Sequence, residues 1–242
     1  MLLRNYVLNN LRGWIVSKIG YRIIKDINRA PQDLIESFRN LAVANIADCM
    51  NRFFCLNSDI KIMNDRKNIK MIGSAFTVKT RPTDNLFVHK AIAMAEPNDI
   101  IIINAFGNLD TAILGEIMTL TAMKKGLGGI VVDGCIRDIG SIREMNIPVF
   151  AKGITPKGPF KDGPGEINIP ISCGNVVINP GDIIIGDCDG VVVVRPLYAK
   201  QILEEVKIKS IQEKNKIQNI KENKDVDKSW IDKKLEKIGY EV

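Results

Sequence analysis

Histidine occurs once in the 242 residues, as His89. That excludes a histidine-rich metal set. A Ser-His-Asp triad would have to run through this one imidazole, and no partner for it is recognisable in the sequence. Cysteine is sparse and odd in number. Cys49, Cys55, Cys135, Cys173 and Cys188 form no CxxC pair and no zinc spacing. Reduced thiols in a cytoplasmic protein are the expectation. No apolar run reaches the roughly 18 residues that span a bilayer, so no membrane role is expected. Aromatic residues make up 6% of the chain, too few for a base-stacking surface. The net charge is +6, but residues 1–30 hold six basic side chains against one acid, leaving the rest nearly neutral. A nucleic-acid partner is therefore not expected. There is no Walker loop and no GxSxG. The glycines of "GLGGIVVDG" precede a strand pattern rather than follow one, which argues against a dinucleotide fingerprint.

What is present is an alternation of strand and helix patterns. "MIGSAFTVKT", "NDIIIINAFG", "GGIVVDG" and "IPVFAKG" read as strands, the middle two buried on both faces. "NLFVHKAIAMA", capped by Thr83 or Asp84, "TAILGEIMTLTAMKKG" and "DIGSIREMN" read as helices between them. This order predicts a parallel or mixed α/β layer. "RAPQDLIESFRNLAVANIADCMN" reads as a helix, a break and a second short helix. "TPKGPFKDGPGEINIP", dense in Gly and Pro, reads as loop. "GNVVINPGDIIIGDCDGVVVVRP" reads as three short strands, and a helical pattern resumes from about Leu197 to Ile220. The boundaries that follow are an N-terminal extension over 1–20, a main domain over 21–200 and a C-terminal helix and charged tail over 201–242. The first 20 residues are basic, apolar and free of acids, yet lack a long apolar stretch and a cleavage site of a targeting peptide.

One constellation carries chemistry. In "GEIMTLTAMKKGLGGIVVDGCIRDIG", Gly115 and Glu116 open a helix, and Arg137 and Asp138 follow a buried strand twenty residues later. Loops at one edge of a parallel layer cluster, so both segments can face one crevice. The free amides of Ile117 and Met118 at a helix start suit a carboxylate. Arg137 offers a planar fork for bidentate carboxylate binding. Asp138 offers a hard oxygen ligand for a cation such as magnesium, which takes few protein carboxylates. Gly134 allows a tight backbone path beside them. Surface ion pairing and ordinary first-turn capping are the other reading of the same residues. His89 follows the polar loop Thr83-Asp84-Asn85 and is a secondary candidate. Asp162 and Glu166 are candidates to face a neighbouring subunit.

These residues resemble the RraA-like family, which includes 4-hydroxy-4-methyl-2-oxoglutarate and 4-carboxy-4-hydroxy-2-oxoadipate aldolases. The acid, the twenty-residue gap and the Arg-Asp pair match Glu116, Arg137 and Asp138. "VANIADCMNR", "GSAFTVKTRPTDN" and "PGDIIIGDCDGVVVV" match as well, over roughly residues 21–200. The resemblance implies a swivelling β/β/α domain with mixed sheets and flanking helices, forming homotrimers or hexamers with sites between subunits. It implies a divalent metal, Mg2+ or Mn2+, on Asp138. It also implies Arg137 on the pyruvyl group and its enolate, Glu116 on metal-bound water, and Gly115, Ile117 and Met118 on the carboxylate of a small 2-oxo acid. The implied activity is metal-dependent aldol cleavage to pyruvate and an oxo compound, with oxaloacetate decarboxylation beside it. Some members instead resemble regulators that bind ribonuclease E. Two departures stand out. The acid is Glu rather than Asp, and Asn104 stands where an Asp often ends the buried strand. An acidic residue supplied by a neighbouring subunit is also implied, with Glu213 a candidate.

Overall fold

The computed structural model describes residues 18–65, 69–222, 224 and 228–241. The basic leader over 1–17 lies outside the described residues. Among the described residues the strands are β1 (Lys61–Ile62), β2 (Met71–Thr80), β3 (Asp99–Leu114), β4 (Gly129–Ile136), β5 (Val149–Ile154), β6 (Gly165–Ile167), β7 (Ile171–Cys173), β8 (Val176–Ile178), β9 (Ile183–Asp187) and β10 (Gly190–Val194). The helices are α1 (Gln32–Glu36), α2 (Val43–Cys49), α3 (Leu86–Met94), α4 (Glu116–Lys124), α5 (Ile139–Glu144), α6 (Ala199–Lys221) and α7 (Ser229–Lys237).

Eight strands form one mixed sheet in the order β1-β5-β4-β3-β2-β9-β10, with β6 also paired to β2. Strands β2 to β5 are mutually parallel, joined by α3, α4 and α5, while β1, β6, β9 and β10 join antiparallel. The alternation of β-branched residues explains the two-sided burial. Ile101, Ile103, Ile130 and Val132 face the helices, against Val88, Ala91, Ile92, Met118 and Ile142. Ile100, Ile102 and Val131 face the other way, with Phe150 of β5 and against Cys173 and Val176 of β7 and β8. A third cluster seats α1, α2 and α6 on β9 and β10 through Ile35, Phe38, Ile46, Ile183, Val192 and Val206.

Two local expectations change. Thr111–Leu114 belong to β3, not to the helix, which starts at Glu116. An apolar run reads alike for either state, and here Ala112 and Leu114 pair with Cys135 and Ile136 after register shifts past Asn104 and Asn108. The Gly/Pro-rich stretch contains β6, whose Gly165–Ile167 pair with Val78–Thr80. The three short strands expected after it are β8, β9 and β10; β8 pairs with β7 in a two-stranded sheet, while β9 pairs with β2 and continues the main sheet. Among the described residues no helix is long and apolar enough to cross a membrane.

Candidate active site

The carboxyl ends of four consecutive parallel strands meet at one edge, where open α/β sheets place ligands. A cleft of about 170 Å³ lies there. Asn85 and His89 come from the segment after β2, Ile113, Leu114, Gly115, Ile117 and Met118 from the junction of β3 and α4, Arg137 and Asp138 from the end of β4, and Pro159 and Lys161 from the loop after β5, while the Glu116 side chain does not line the cleft.

Asp138 sits at the start of α5 with φ 58° and ψ 38°. Its side chain makes no cap bond to its own helix. Instead Oδ2 accepts the Glu116 amide at 3.0 Å, and Arg137 Nε lies 3.7 Å from the same oxygen. The carboxylate thus crosses to the N-terminus of α4, where the helix dipole favours negative charge. The Arg137 main chain is fixed by its amide, which donates to the Leu114 carbonyl at 2.9 Å. Among the described residues nothing accepts the amides of Ile117 and Met118. They stay available to an anion in the cleft.

Gly115 makes this approach possible. A Cβ there would lie 2.5 Å from Asp138 Oδ2 and 3.1 Å from Arg137 Cγ. Gly115→Ala is expected to displace both side chains and lower turnover by about tenfold, an effect near 1.4 kcal/mol. Thermal melting alongside steady-state rates checks it, with the melting temperature changing much less than the rate. On its other side the Arg137 guanidinium meets Gly158, whose added Cβ would lie 2.7 Å from Nη1.

The Glu116 carboxylate has no partner among the described residues, and its contact to Asp138 is made by the backbone. His89 does reach the cleft. Desolvation first and the charge of Lys161 second lower its pKa, so the imidazole is held toward the neutral form. Asn85 was not singled out as a site residue by the sequence. Its Nδ2 donates to the Ile113 carbonyl at 3.0 Å, while its buried Oδ1 has no partner among the described residues. Lys161 was missed too, because nothing in a Gly/Pro-rich loop marks one lysine among several. Glu166 does not face outward. It is buried in an ion pair with Arg22 and also accepts the Gly20 amide at 3.2 Å. Glu213 accepts Asn45 Nδ2 at 2.7 Å within the same chain. Asn104 Oδ1 accepts the Phe106 amide at 2.8 Å, a role that needs an acceptor but no charge. Burial is the largest cause of the raised pKa of Cys49, Cys55, Cys135 and Cys173, which disfavours their thiolates.

The donor set for a cation is oxygen-rich. Asp138 spends Oδ2 on an amide and leaves Oδ1 without a partner among the described residues, with Glu116 beside it at the helix start. A carboxylate donor of this kind suits a magnesium-type ion better than zinc. Asp187, Cys188 and Asp189 also cluster. They form the β9–β10 turn, where Asp187 already accepts Lys70 Nζ and the amides of Val43 and Asp189.

A family model described as RraA-like, Aldolase/RraA, matches residues 43–193. The chain belongs to the RraA-like family. A protein of Halalkalibacterium halodurans named "Putative 4-hydroxy-4-methyl-2-oxoglutarate aldolase" is 40% identical over 183 residues, covering 76% of this chain and 86% of that protein. Among solved structures, Streptomyces coelicolor RraAS2, titled an unusual member of the RNase ES inhibitor RraA protein family, matches with TM-score 0.72 and 25% identity. That match covers 79% of this chain and 98% of the other. The RNA-processing inhibitor RraA from Thermus thermophilis matches with TM-score 0.58 and 28% identity, over 63% and 92%. The mixed α/β architecture described above is the fold of these RraA-like proteins.

Proposed function

We propose that the chain is a divalent-metal-dependent carbon–carbon lyase. It would cleave a 4-hydroxy-2-oxo dicarboxylic acid to pyruvate and a second oxo compound, with oxaloacetate decarboxylation as a companion activity. The observation that carries this reading is the convergence of Arg137, Asp138 and the unpaired amides of Ile117 and Met118 on one cleft, with Lys161 across it. The amides hold the substrate C1 carboxylate. The Arg137 fork binds the 2-oxo oxygen side and stabilises negative charge that develops there when the C3–C4 bond breaks. Lys161 supplies positive charge for the distal carboxylate. His89 is held neutral beside it, so the cleft keeps an uncharged hydrogen-bonding group next to the cation. Asp138 is the residue that would hold Mg2+ or Mn2+, with Glu116 acting on its bound water, and the ion's contribution when bound is Lewis-acid polarisation of the 2-oxo group.

The same reading includes a homotrimer or hexamer, for which exposed Phe106, Leu109, Ile117 and Phe160 supply apolar surface. A second reading, a regulator acting by protein contact, draws on the two RraA inhibitors among the structural relatives. The test is pyruvate release from 4-hydroxy-4-methyl-2-oxoglutarate and from oxaloacetate with magnesium present. A chelator is expected to remove at least about 95% of it, and magnesium to restore it, as metal-held chemistry requires. No release from either compound, together with capture of a ribonuclease, would favour the regulator.

A further inference from the structure

Asp84 is fully buried and lies outside the cleft lining, yet its carboxylate joins two of the segments that build the cleft. Oδ1 accepts the Leu86 amide at 2.9 Å, in the first turn of α3 that carries His89. Oδ2 accepts the amides of Asp162 at 2.7 Å and Gly163 at 3.0 Å, in the loop that carries Lys161. The backbone around it is tied across the same gap. Asn85 donates to the Phe160 carbonyl at 3.0 Å, and Phe160 donates to the Thr83 carbonyl at 2.8 Å. Thr80 Oγ1 donates to the Asp84 carbonyl at 2.7 Å. Thr83, just before it, holds φ 75°, a conformation that a β-branched residue keeps only when its surroundings enforce it. Arg81 Nη2 stands 3.8 Å from Oδ2, too far for a direct hydrogen bond. The burial of this charge is therefore compensated mainly by three backbone amides, and two of them belong to the Lys161 loop.

We infer that Asp84 is a positioning residue, which fixes the spacing between the α3 start and the 160–163 segment and so presents Lys161 to the distal carboxylate of the substrate. The inference rests on the lyase reading above, and it separates two halves of the cleft. The Arg137–Asp138 half hangs on β4 and α4, makes no contact with the Asp84 carboxylate, and meets the loop only at Gly158, whose neighbour Lys157 is held separately by the Ala112 amide at 2.8 Å. The Lys161 half hangs on Asp84. A substrate with only the pyruvyl carboxylate should not depend on it.

Asp84→Asn keeps one acceptor and turns an NH2 toward amides that need one, which releases the loop or the helix start. The expected result is a KM for 4-hydroxy-4-methyl-2-oxoglutarate raised by about tenfold, as lost charge-assisted hydrogen bonds of this kind cost. Exchange of the pyruvate methyl protons into D2O, with magnesium, should stay within about twofold of wild type, because it needs only the other half. On a Lys161→Met background, Asp84→Asn should add no more than about twofold, because a residue acting through Lys161 loses its effect when Lys161 is gone. Thr80→Val loosens the same turn and carries the same test if the Asn variant does not fold. Equal losses in KM and in exchange, additive effects in the double variant, or a KM unchanged by Asp84→Asn would each overturn the assignment. Wild-type protein giving neither exchange nor cleavage would overturn the lyase reading and this one with it. An active wild type with an unaffected Asp84→Asn overturns this one alone.

Discussion

Asp138→Ala is expected to lower magnesium-dependent pyruvate release by about a thousandfold, the scale of several kcal/mol that a metal contributes to stabilising developing charge. The variant removes the oxygen proposed to hold the cation and the acceptor of the Glu116 amide together. It also has a conformational cost. Asp138 sits at φ 58°. Asp and Asn tolerate that region, whereas Ala there costs about 1 kcal/mol. Asp138→Asn is therefore the sharper companion. It keeps an acceptor and the backbone preference, and loses the charge. Both variants should lose turnover alike, while the melting temperature falls for Ala and stays near wild type for Asn. Full activity in the Asn variant would sink the metal assignment.

Arg137→Lys is expected to cost about a hundredfold in kcat/KM, comparable to removing one oxyanion-stabilising donor. The charge is kept, so the loss measures shape. The guanidinium lies between Gly115 and Gly158, neither of which has room for a side chain on that side. A lysine ammonium is a point charge on a flexible stem and cannot present two parallel donors there. Because the Arg137 amide is fixed by the Leu114 carbonyl, the main chain should hold its course in the variant. Steady-state kinetics with oxaloacetate and with 4-hydroxy-4-methyl-2-oxoglutarate check the expectation. Kinetics within about threefold of wild type would argue against a bidentate role.

The two variants probe the half of the site that is readable from local sequence. Glu116, Arg137 and Asp138 stand in one contiguous β–α–β stretch, where a helix start and a strand end are marked by composition. The other half is not marked in this way. Asn85 and Lys161 are 76 positions apart by number and meet through the Phe160 carbonyl and the Asp84 carboxylate, contacts that leave no periodic trace. The β3 extension shows a related limit. Asn104 to Asp110 breaks the alternation, and the chain then returns to β4 with a shifted register. Periodicity alone could not tell Thr111–Leu114 as strand from the first turn of the helix that follows.

The buried strands, the helices between them and the parallel core were legible along the chain, and the Arg-Asp pair stood out as a candidate. β-branched runs, glycine breaks and helical spacing are local properties of the chain. The direction of the Asp138 carboxylate, to the Glu116 amide rather than to its own helix, and the part of Gly115 in letting it arrive depend on packing between segments. The same packing turned Glu166 inward to Arg22 and engaged Glu213 with Asn45. The reason is physical. A buried carboxylate or an unpaired amide takes whatever partner the packing of distant segments brings within about 3 Å, and that partner is set by the sheet order and the loop clamps rather than by sequence neighbours.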